Sequence, residues 1–415
     1  MVPLPVDPHR LFDSMQPLTI TFLGTSSASP SSTRNHSSLM LRVASGDLYM
    51  FDCGEATQHQ LGKTSLKRSR ITKIFITHMH GSKNFGNGLI EGDHMFGLAP
   101  LIAGMLNGLG GSANDTRIEE STAYTPIEIY GPRNLRGVLR TVLLGTYTNL
   151  LGRYVVHELH FPGDTAPAYE TTGLHPNEVK GRNIMQTSPG LWEHFIDEDG
   201  LTVSAGEISH SVPSLGFVIH EKPLPGKLSG AVVERYFQAI KTHGLPRRTL
   251  SLIQGGQTVT LPTGEQLHPP SPRPGRKVVV LGDTCDPTNL LPLSQDATVV
   301  VHEATNAYIP ELDKEMSYES LKERTVNRGH STPQMAGEFA SACSAKVLLL
   351  NHFSARYQDD GEPISGKSGQ LKEGHETGVM AQIRDLAKLE FDGTVVCARD
   401  LWTWEIPDIV ERALR

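Results

Sequence analysis

The sequence predicts an α+β fold built from two packed β-sheets with helices outside them. Two observations lead there. Residues 1–51 hold three strand-like runs, at 18–24, 38–43 and 47–51, ahead of any helical run. Beyond them, strand-like and helix-like runs alternate in two successive halves, with no internal repeat of short period. A third observation bears on function: several apolar runs end abruptly in histidine, aspartate or glutamate.

Residues 18–24 alternate apolar and polar side chains, the pattern of a half-buried strand. A turn-rich stretch, 25–35, follows, and 38–43 with 47–51 read as a hairpin through Gly46. The second of these ends in Asp52-Cys53-Gly54-Glu55, after which 56–61 starts a helix. Run 74–77 is a strand, and 95–105 is a buried helix interrupted by Gly97, Pro100 and Gly104. A Gly/Asn/Ser loop over 107–115 leads to a strand at 127–130 and a helix at 135–144. Residues 162–200 are polar, rich in Pro and Gly and mostly acidic, the composition of a long acidic loop excursion at the surface. Strands return at 201–205 and 216–220. A helix at 231–242 and a hairpin pairing 257–261 with 266–267 come next. Buried-type strands at 277–281 and 297–302, a helix at 333–343, a strand at 346–350 and a final strand–helix pair close the chain.

With 38% hydrophobic and 20% charged residues, the 415-residue chain has the composition of a soluble globular protein. No apolar run reaches the roughly 18–20 residues that cross a bilayer, which argues against a membrane partner. Residues 1–17 carry prolines and both charge signs and read as a disordered or extended leader, unlike a secretory signal or a transit peptide. Cys53, Cys285, Cys343 and Cys397 are far apart and form no CxxC pair. That pattern excludes a zinc finger or disulfide framework and suits a reducing, intracellular compartment: cytoplasm or nucleus, with an organelle also open. The net charge of −7 does not suggest a nucleic-acid partner by itself. Its distribution does: residues 219–277 hold nine Lys/Arg against three Glu.

The run 74–77 ends in His78-Met79-His80-Gly81, and Asp93-His94 follows after eleven further residues, 82–92. Histidines at i and i+2 on a strand end point the same way and can grip one cation. An Asp-His pair at a helix start can grip a second. Mixed imidazole and carboxylate ligands suit zinc, with manganese an alternative. Two such ions about 3.5–4 Å apart form a hydrolytic clamp. Four more sites end apolar runs: His210, Asp283, the pair His302-Glu303, and His352. Taken singly, each is more often a structural histidine or a turn-forming acid. Together they supply a ligand count for two ions. His78, His80 and His210 would hold one, Asp93, His94 and His352 the other, and Asp283 would bridge them. Glu55, Glu303 and His330 are candidates to support the ligands or to move a proton.

These residues sit in stretches that resemble tRNase Z (ribonuclease Z), a family of the metallo-β-lactamase superfamily. The stretches include Phe22-Leu23-Gly24-Thr25-Ser26-Ser27, Thr33-Arg34-Asn35, Phe51-Asp52-Cys53-Gly54-Glu55 and Leu281-Gly282-Asp283-Thr284. His302-Glu303-Ala304-Thr305, Gly329-His330-Ser331-Thr332 and His352-Phe353-Ser354-Ala355-Arg356-Tyr357 add the most specific signal. The match starts near residue 18 and its length resembles the short form. It implies a four-layer αββα sandwich of metallo-β-lactamase type over 18–415, a two-zinc centre, and precursor tRNA as substrate. By the same resemblance, Asp93 is ligand and proton acceptor, His330 serves the leaving oxygen, Glu303 orients it, and the protein forms a homodimer. The basic stretch, about 222–270, falls where the family carries its tRNA-binding arm, although the family's usual Gly-Pro arm core is missing here.

One departure lies at the centre. In the family, Asp-His follows Gly at once; here 82–92 intervene. The segment is a looped-out bulge, or it disables the metal site, or it is a gene-model artefact. Two rival functions accompany these outcomes: a hydrolase of small esters or cyclic nucleotides, which needs no basic arm, and an inactive RNA-binding homologue.

Overall fold

A computed structural model of the chain describes residues 17–79, 93–107, 125–164, 173–198, 200–223, 226, 228, 230–246, 248–358 and 376–407. Expectations on residues 1–16, on His80, Gly81 and 82–92, and on the loop beyond Asn107 fall outside the described residues.

The chain begins with strands β1 (Thr19–Gly24), β2 (Ser26–Ser27), β3 (Ser38–Arg42) and β4 (Leu48–Phe51), then helix α1 (Thr57–Gly62). Strand β5 (Ile71–Phe75), helix α2 (Leu98–Leu106), strand β6 (Ile127–Pro132), helix α3 (Leu135–Gly145) and strand β7 (Tyr154–Leu159) follow. Short strands β8 (Glu178–Val179) and β9 (Asn183–Ile184) finish this half. The second half opens with β10 (Leu191–Glu198), β11 (Leu201–Ile208) and β12 (Ser214–Glu221). An insert of helices α4 (Gly230–Thr242) and α5 (Arg248–Gln254) and strands β13 (Val259–Thr260) and β14 (Gln266–Leu267) precedes β15 (Lys277–Leu281). The rest comprises β16 (Val299–Glu303), α6 (Tyr318–Val326), α7 (Pro333–Ala342), β17 (Val347–Asn351), β18 (Phe353–Ser354), α8 (Gly378–Lys388), β19 (Thr394–Cys397) and β20 (Thr403–Glu405).

The first sheet runs β20-β1-β3-β4-β5-β6-β7-β8 with β9 also on β7, and the second runs β10-β11-β12-β15-β16-β17-β19. Pairing is parallel from β4 to β7 and from β15 to β19. Alternation along single strands sets the layers, because successive side chains face opposite sides of a sheet. In β15, Val278 and Val280 join the apolar layer between the sheets, while Val279 and Leu281 join a second layer with Phe339 of α7 and Ile383 of α8. In β1, Ile20 and Phe22 face the other sheet; Leu23 joins a third layer with Leu101 of α2 and Leu139 of α3. Strands buried on both faces read as continuous apolar runs, which is why Val278-Val279-Val280-Leu281 shows no alternation in sequence. The result is the αββα sandwich expected. No helix among the described residues is long and apolar enough to cross a membrane.

One expectation is corrected. The surface excursion at 162–200 gives way at its end to β10, the edge of the second sheet, with Trp192 fully buried. A register shift between Trp192 and Ile196, with His194 at φ 46°, breaks the two-residue period that would have marked it as a strand. Near the end of the described residues, α8 precedes β19 and β20; the helix expected to close the chain falls on 408–415, outside the described residues. Strand β7 and helix α6 were not anticipated.

The 222–270 stretch forms a small unit with its own core of Tyr236, Ile240, Ile253, Leu261 and Leu267. It leaves the body at the end of β12 and returns at the start of β15. There Arg276 Nε and Nη2 donate to the two carboxylate oxygens of Glu221 at 2.7 and 2.8 Å, and Nη1 donates to the Ile406 carbonyl at 3.1 Å.

Candidate metal centre

The candidate residues gather at one edge of the sandwich, beyond the C-terminal ends of parallel strands from both sheets. Asp52 follows β4, His78 follows β5, Asp283 follows β15, Glu303 ends β16 and His352 follows β17. Rigid strands fix such positions well, and crevices at strand ends are where α/β sheets hold ligands. The edges meet directly: Leu215 N donates to Thr77 O at 3.0 Å, and His78 bridges to Ser214.

The potential ligand atoms form overlapping groups. Those of His78, His210 and Asp283 lie within 4.8 Å of one another, and so do those of Asp93, His94 and His352, and of Asp283, His330 and His352. Asp283 Oδ1 is 3.3 Å from Nε2 of both His94 and His352, and Oδ2 is 3.8 Å from His78 Nε2. Asp283 thus stands between the two triads. His80 lies outside the described residues. Glu303 and His330 are also at the cluster, whereas Glu55 is exposed at the surface.

The insertion does not displace Asp93 and His94, because their hold comes from elsewhere. Cys53 N donates to His94 O at 2.7 Å and Gly97 N to Cys53 O at 2.8 Å. Behind them, Met95, Leu98, Leu101 and Ile102 are buried in the layer under the first sheet. A Cβ on Gly54 would come within 2.2 Å of the Asp93 carbonyl oxygen, so this approach requires glycine.

Further bonds aim each side chain. His94 Nδ1 donates to Asp52 Oδ2 at 2.6 Å, and Asp52 also accepts from Thr77 N at 2.8 Å and Thr77 Oγ1 at 2.9 Å. Ala28 N donates to Asp93 Oδ2 at 2.7 Å. His210 Nδ1 donates to Gly329 O at 2.8 Å. His352 Nδ1 faces Thr305 Oγ1 at 3.0 Å, and that hydroxyl donates to Glu303 Oε2. Ala28, Asp52 and His352 all hold left-handed backbone at φ 56°, a conformation non-glycine residues adopt only where their surroundings enforce it.

This donor set fits a divalent cation. Asp52 only accepts, so a neutral His94 carries its proton on Nδ1 and presents a lone pair at Nε2. By the same reasoning, the Thr305 hydroxyl leaves His352 Nε2 as a lone pair. These two Nε2 atoms are 3.2 Å apart, with Asp93 Oδ2 3.3 Å from the second. Electron pairs converging at such distances repel unless a cation sits among them, and the nitrogen and oxygen mixture suits zinc. Protons take that role in its absence. Burial opposes a charge on His94, yet Asp283, Asp93 and Asp52 outweigh it and hold the imidazole well above the usual histidine range. Burial likewise opposes ionisation of Asp283, but His352, His94 and His78 pull it well below the carboxylate range.

His330 is held differently. Its Nδ1 lies 3.2 Å from both oxygens of Glu303, and Thr284 N donates to Glu303 Oε1 at 2.6 Å. Ser331 Oγ donates to Thr284 O at 2.6 Å, and Thr332 caps α7, whose first turn carries Pro333. Burial disfavours the His330 cation, but Glu303 and then Asp283 and Asp93 prevail and raise it to about 9.

Sequence reasoning missed Asp52, Thr305 and the Ala28 amide. Asp52 carries the signature that singled out Asp283, an acid where an apolar strand runs out, so that signal was present. Thr305 and Ala28 have no such signal, since geometry alone gives them their roles.

Known proteins share this arrangement of sequence. The chain is 35% identical to the zinc phosphodiesterase ELAC protein 1 of Homo sapiens over 406 residues, covering 94% of this chain and 99% of that protein. It belongs to the ribonuclease Z (tRNase Z) family. Ribonuclease Z of Microcystis aeruginosa is also 35% identical over 398 residues, with 94% and 96% of the two chains covered. The crystal structure of human tRNase Z, short form (ELAC1), superimposes with a TM-score of 0.56 at 30% identity, covering 94% of this chain and 99% of that one. A family model described as anti-Pycsar protein Apyc1 matches residues 18–104, well under half of the chain. The match to ELAC protein 1 thus reaches across nearly the whole chain, far beyond residues 18–104.

Proposed function

We propose that the protein is a zinc-dependent endoribonuclease that removes the 3′ trailer from precursor tRNA, leaving a tRNA 3′-OH and a trailer 5′-phosphate. The observation that carries this reading is the meeting of Asp93 and His94 with Asp283 and His352 at 3.3 Å or closer, in a chain that matches ribonuclease Z nearly end to end. His78, His210 and Asp283, with His80, would hold one zinc, and Asp93, His94 and His352, with Asp283, the other. When bound, zinc would acidify a water molecule and polarise the phosphoryl oxygens.

The chain's own residues do the rest. Asp93 accepts the proton released from the attacking water. Glu303 favours the His330 cation, and Nδ1 is turned to Glu303, so Nε2 is the atom left to donate a proton. The bond from phosphorus to the 3′ oxygen breaks, a new phosphorus–oxygen bond forms to the attacking oxygen, and the His330 proton goes to the departing 3′ oxygen. Glu303, anchored by Thr284 N and Thr305, keeps the ring in place.

The basic arm contacts tRNA phosphates away from the cut, reading shape rather than sequence. The protein acts as a homodimer. Supporting this, α3 and the loop after it expose Val138, Val142, Tyr147 and Leu151, an apolar face that a second copy would cover.

The test is cleavage of a 3′-extended tRNA transcript, with and without chelator, by the full chain and by a variant lacking 82–92. Both should cut within about threefold of each other and stop cutting on chelation, and Asp283→Ala should lower the rate on the order of 1,000-fold or more while tRNA binding persists. Cutting by the shortened variant alone would make the insertion disabling. Binding without cutting by either would leave the inactive RNA-binding homologue, and hydrolysis of small esters alone would favour the second rival.

A further inference from the structure

The loop between β1 and β3 touches both ligand-bearing segments of one triad. Ala28 N donates to the Asp93 carboxylate at 2.7 Å. Thr25 O accepts from Phe353 N, next to His352, at 2.9 Å, and Ser26–Ser27 pair with Phe353–Ser354. What holds this loop lies near the far end of the chain. Asp400 Oδ1 accepts from Thr25 Oγ1 at 2.7 Å, at the loop's start. Its Oδ2 accepts from Asn35 N at 2.7 Å, at the loop's end, and from Gln60 Nε2 of α1 at 2.8 Å. One carboxylate therefore ties both ends of the loop to each other and to the first helix.

We propose that Asp400 is a positioning residue for the Asp93–His94–His352 half of the metal centre, acting through the 25–35 loop. It touches none of the candidate ligands. Two of its three donors sit at the loop ends, and from the loop the Ala28 amide reaches Asp93 and the Thr25 carbonyl reaches the amide beside His352. The arrangement has the logic of outer groups that orient metal ligands and set affinity. Burial pushes the Asp400 carboxyl up to about 6, while the Asn35 amide, the Thr25 hydroxyl and Arg34 favour its charged form.

This inference rests on the zinc reading, and the experiment separates the two. Zinc is titrated into metal-free full-length protein against a chromophoric chelator, with melting of the metal-free forms measured in parallel. Asp400→Asn keeps the volume but sets an amide against donors it cannot all satisfy. It should weaken binding of one of the two ions about 10- to 100-fold and leave the other unchanged. Gln60→Met removes one donor and keeps the carboxylate, and should weaken the same ion severalfold. Glu221→Ala, a buried acid at the arm's root, is the control: it should lower the melting temperature and leave both affinities alone. Unchanged zinc affinity in both Asp400→Asn and Gln60→Met would overturn the proposal, as would equal weakening in the Glu221 control. Failure of the unaltered protein to bind zinc would sink the metal reading instead.

Discussion

The metal cluster and the basic arm are built on opposite principles. Every described candidate ligand of the cluster follows or ends a strand, or is clamped by backbone bonds, and most are nearly fully buried. The arm carries only a small core of its own, set apart from the three large apolar layers, and is joined to the body through β12 and β15. They also lie at opposite ends of the same strand pair. Gly216 faces Leu281 near the cluster, while His220 faces Lys277 at the arm's root. Chemistry that needs ligands held to fractions of an ångström is placed on rigid strand ends. Phosphate contacts that tolerate adjustment are placed on an appendage. Damage to one should therefore spare the other.

The largest test of that separation is at the arm's root. Glu221 and Arg276 are both buried, and removing one partner leaves the other charge stranded. Glu221→Ala should cost about 3–5 kcal/mol of unfolding free energy, read by denaturant melts, with zinc content unchanged. Loss of zinc in the folded variant would couple the two ends and break the comparison. Excision of 228–269, replaced by a short Gly/Ser linker, should raise KM for precursor tRNA on the order of 100-fold. The rate on a small phosphodiester should stay within about twofold, since no metal ligand is touched. A matching loss on the small substrate would show that the arm shapes the cluster.

The smallest effect separates body from arm by pH. His157 in β7 is buried and stacked on Tyr130 at 4.7 Å, and burial, with Arg182 beside it, lowers its pKa from 6.5 to about 4. The unfolded chain takes up this proton below 6.5 and the folded one only near 4, so stability contributed by the neutral ring is lost as pH falls through that window. Between pH 7 and pH 5 the loss should be about 2 kcal/mol. His157→Gln should flatten the dependence in denaturant titrations. No described arm histidine is buried, so the arm's core should not share it.

Legibility followed the same physics. Strands β15 and β16 were readable because burial on both faces demands unbroken apolar runs, and the acids and histidines that stop those runs stood out. Strand β10 was not, because a bulge cancels its period. The helix α4 and the β13–β14 hairpin of the arm were legible from local pattern alone, whereas the Glu221–Arg276 clamp joins residues that look like ordinary surface charges in a basic stretch. Asp93 and His94 were recognisable as a pair, but their fate after an eleven-residue interruption depended on the bonds that His94 and Gly97 make to Cys53, just past another strand's end.

Local order and chemical type were written in the chain: which runs are strands, which residues can bind a cation, where the positive charge collects. Those properties depend on side-chain pattern over a few neighbours. Convergence was decided only in three dimensions. Asp52 aims His94, Thr305 aims His352, and Asp400 ties a loop more than three hundred residues away, because parallel strands from two sheets end at one edge and bring distant residues within hydrogen-bond reach.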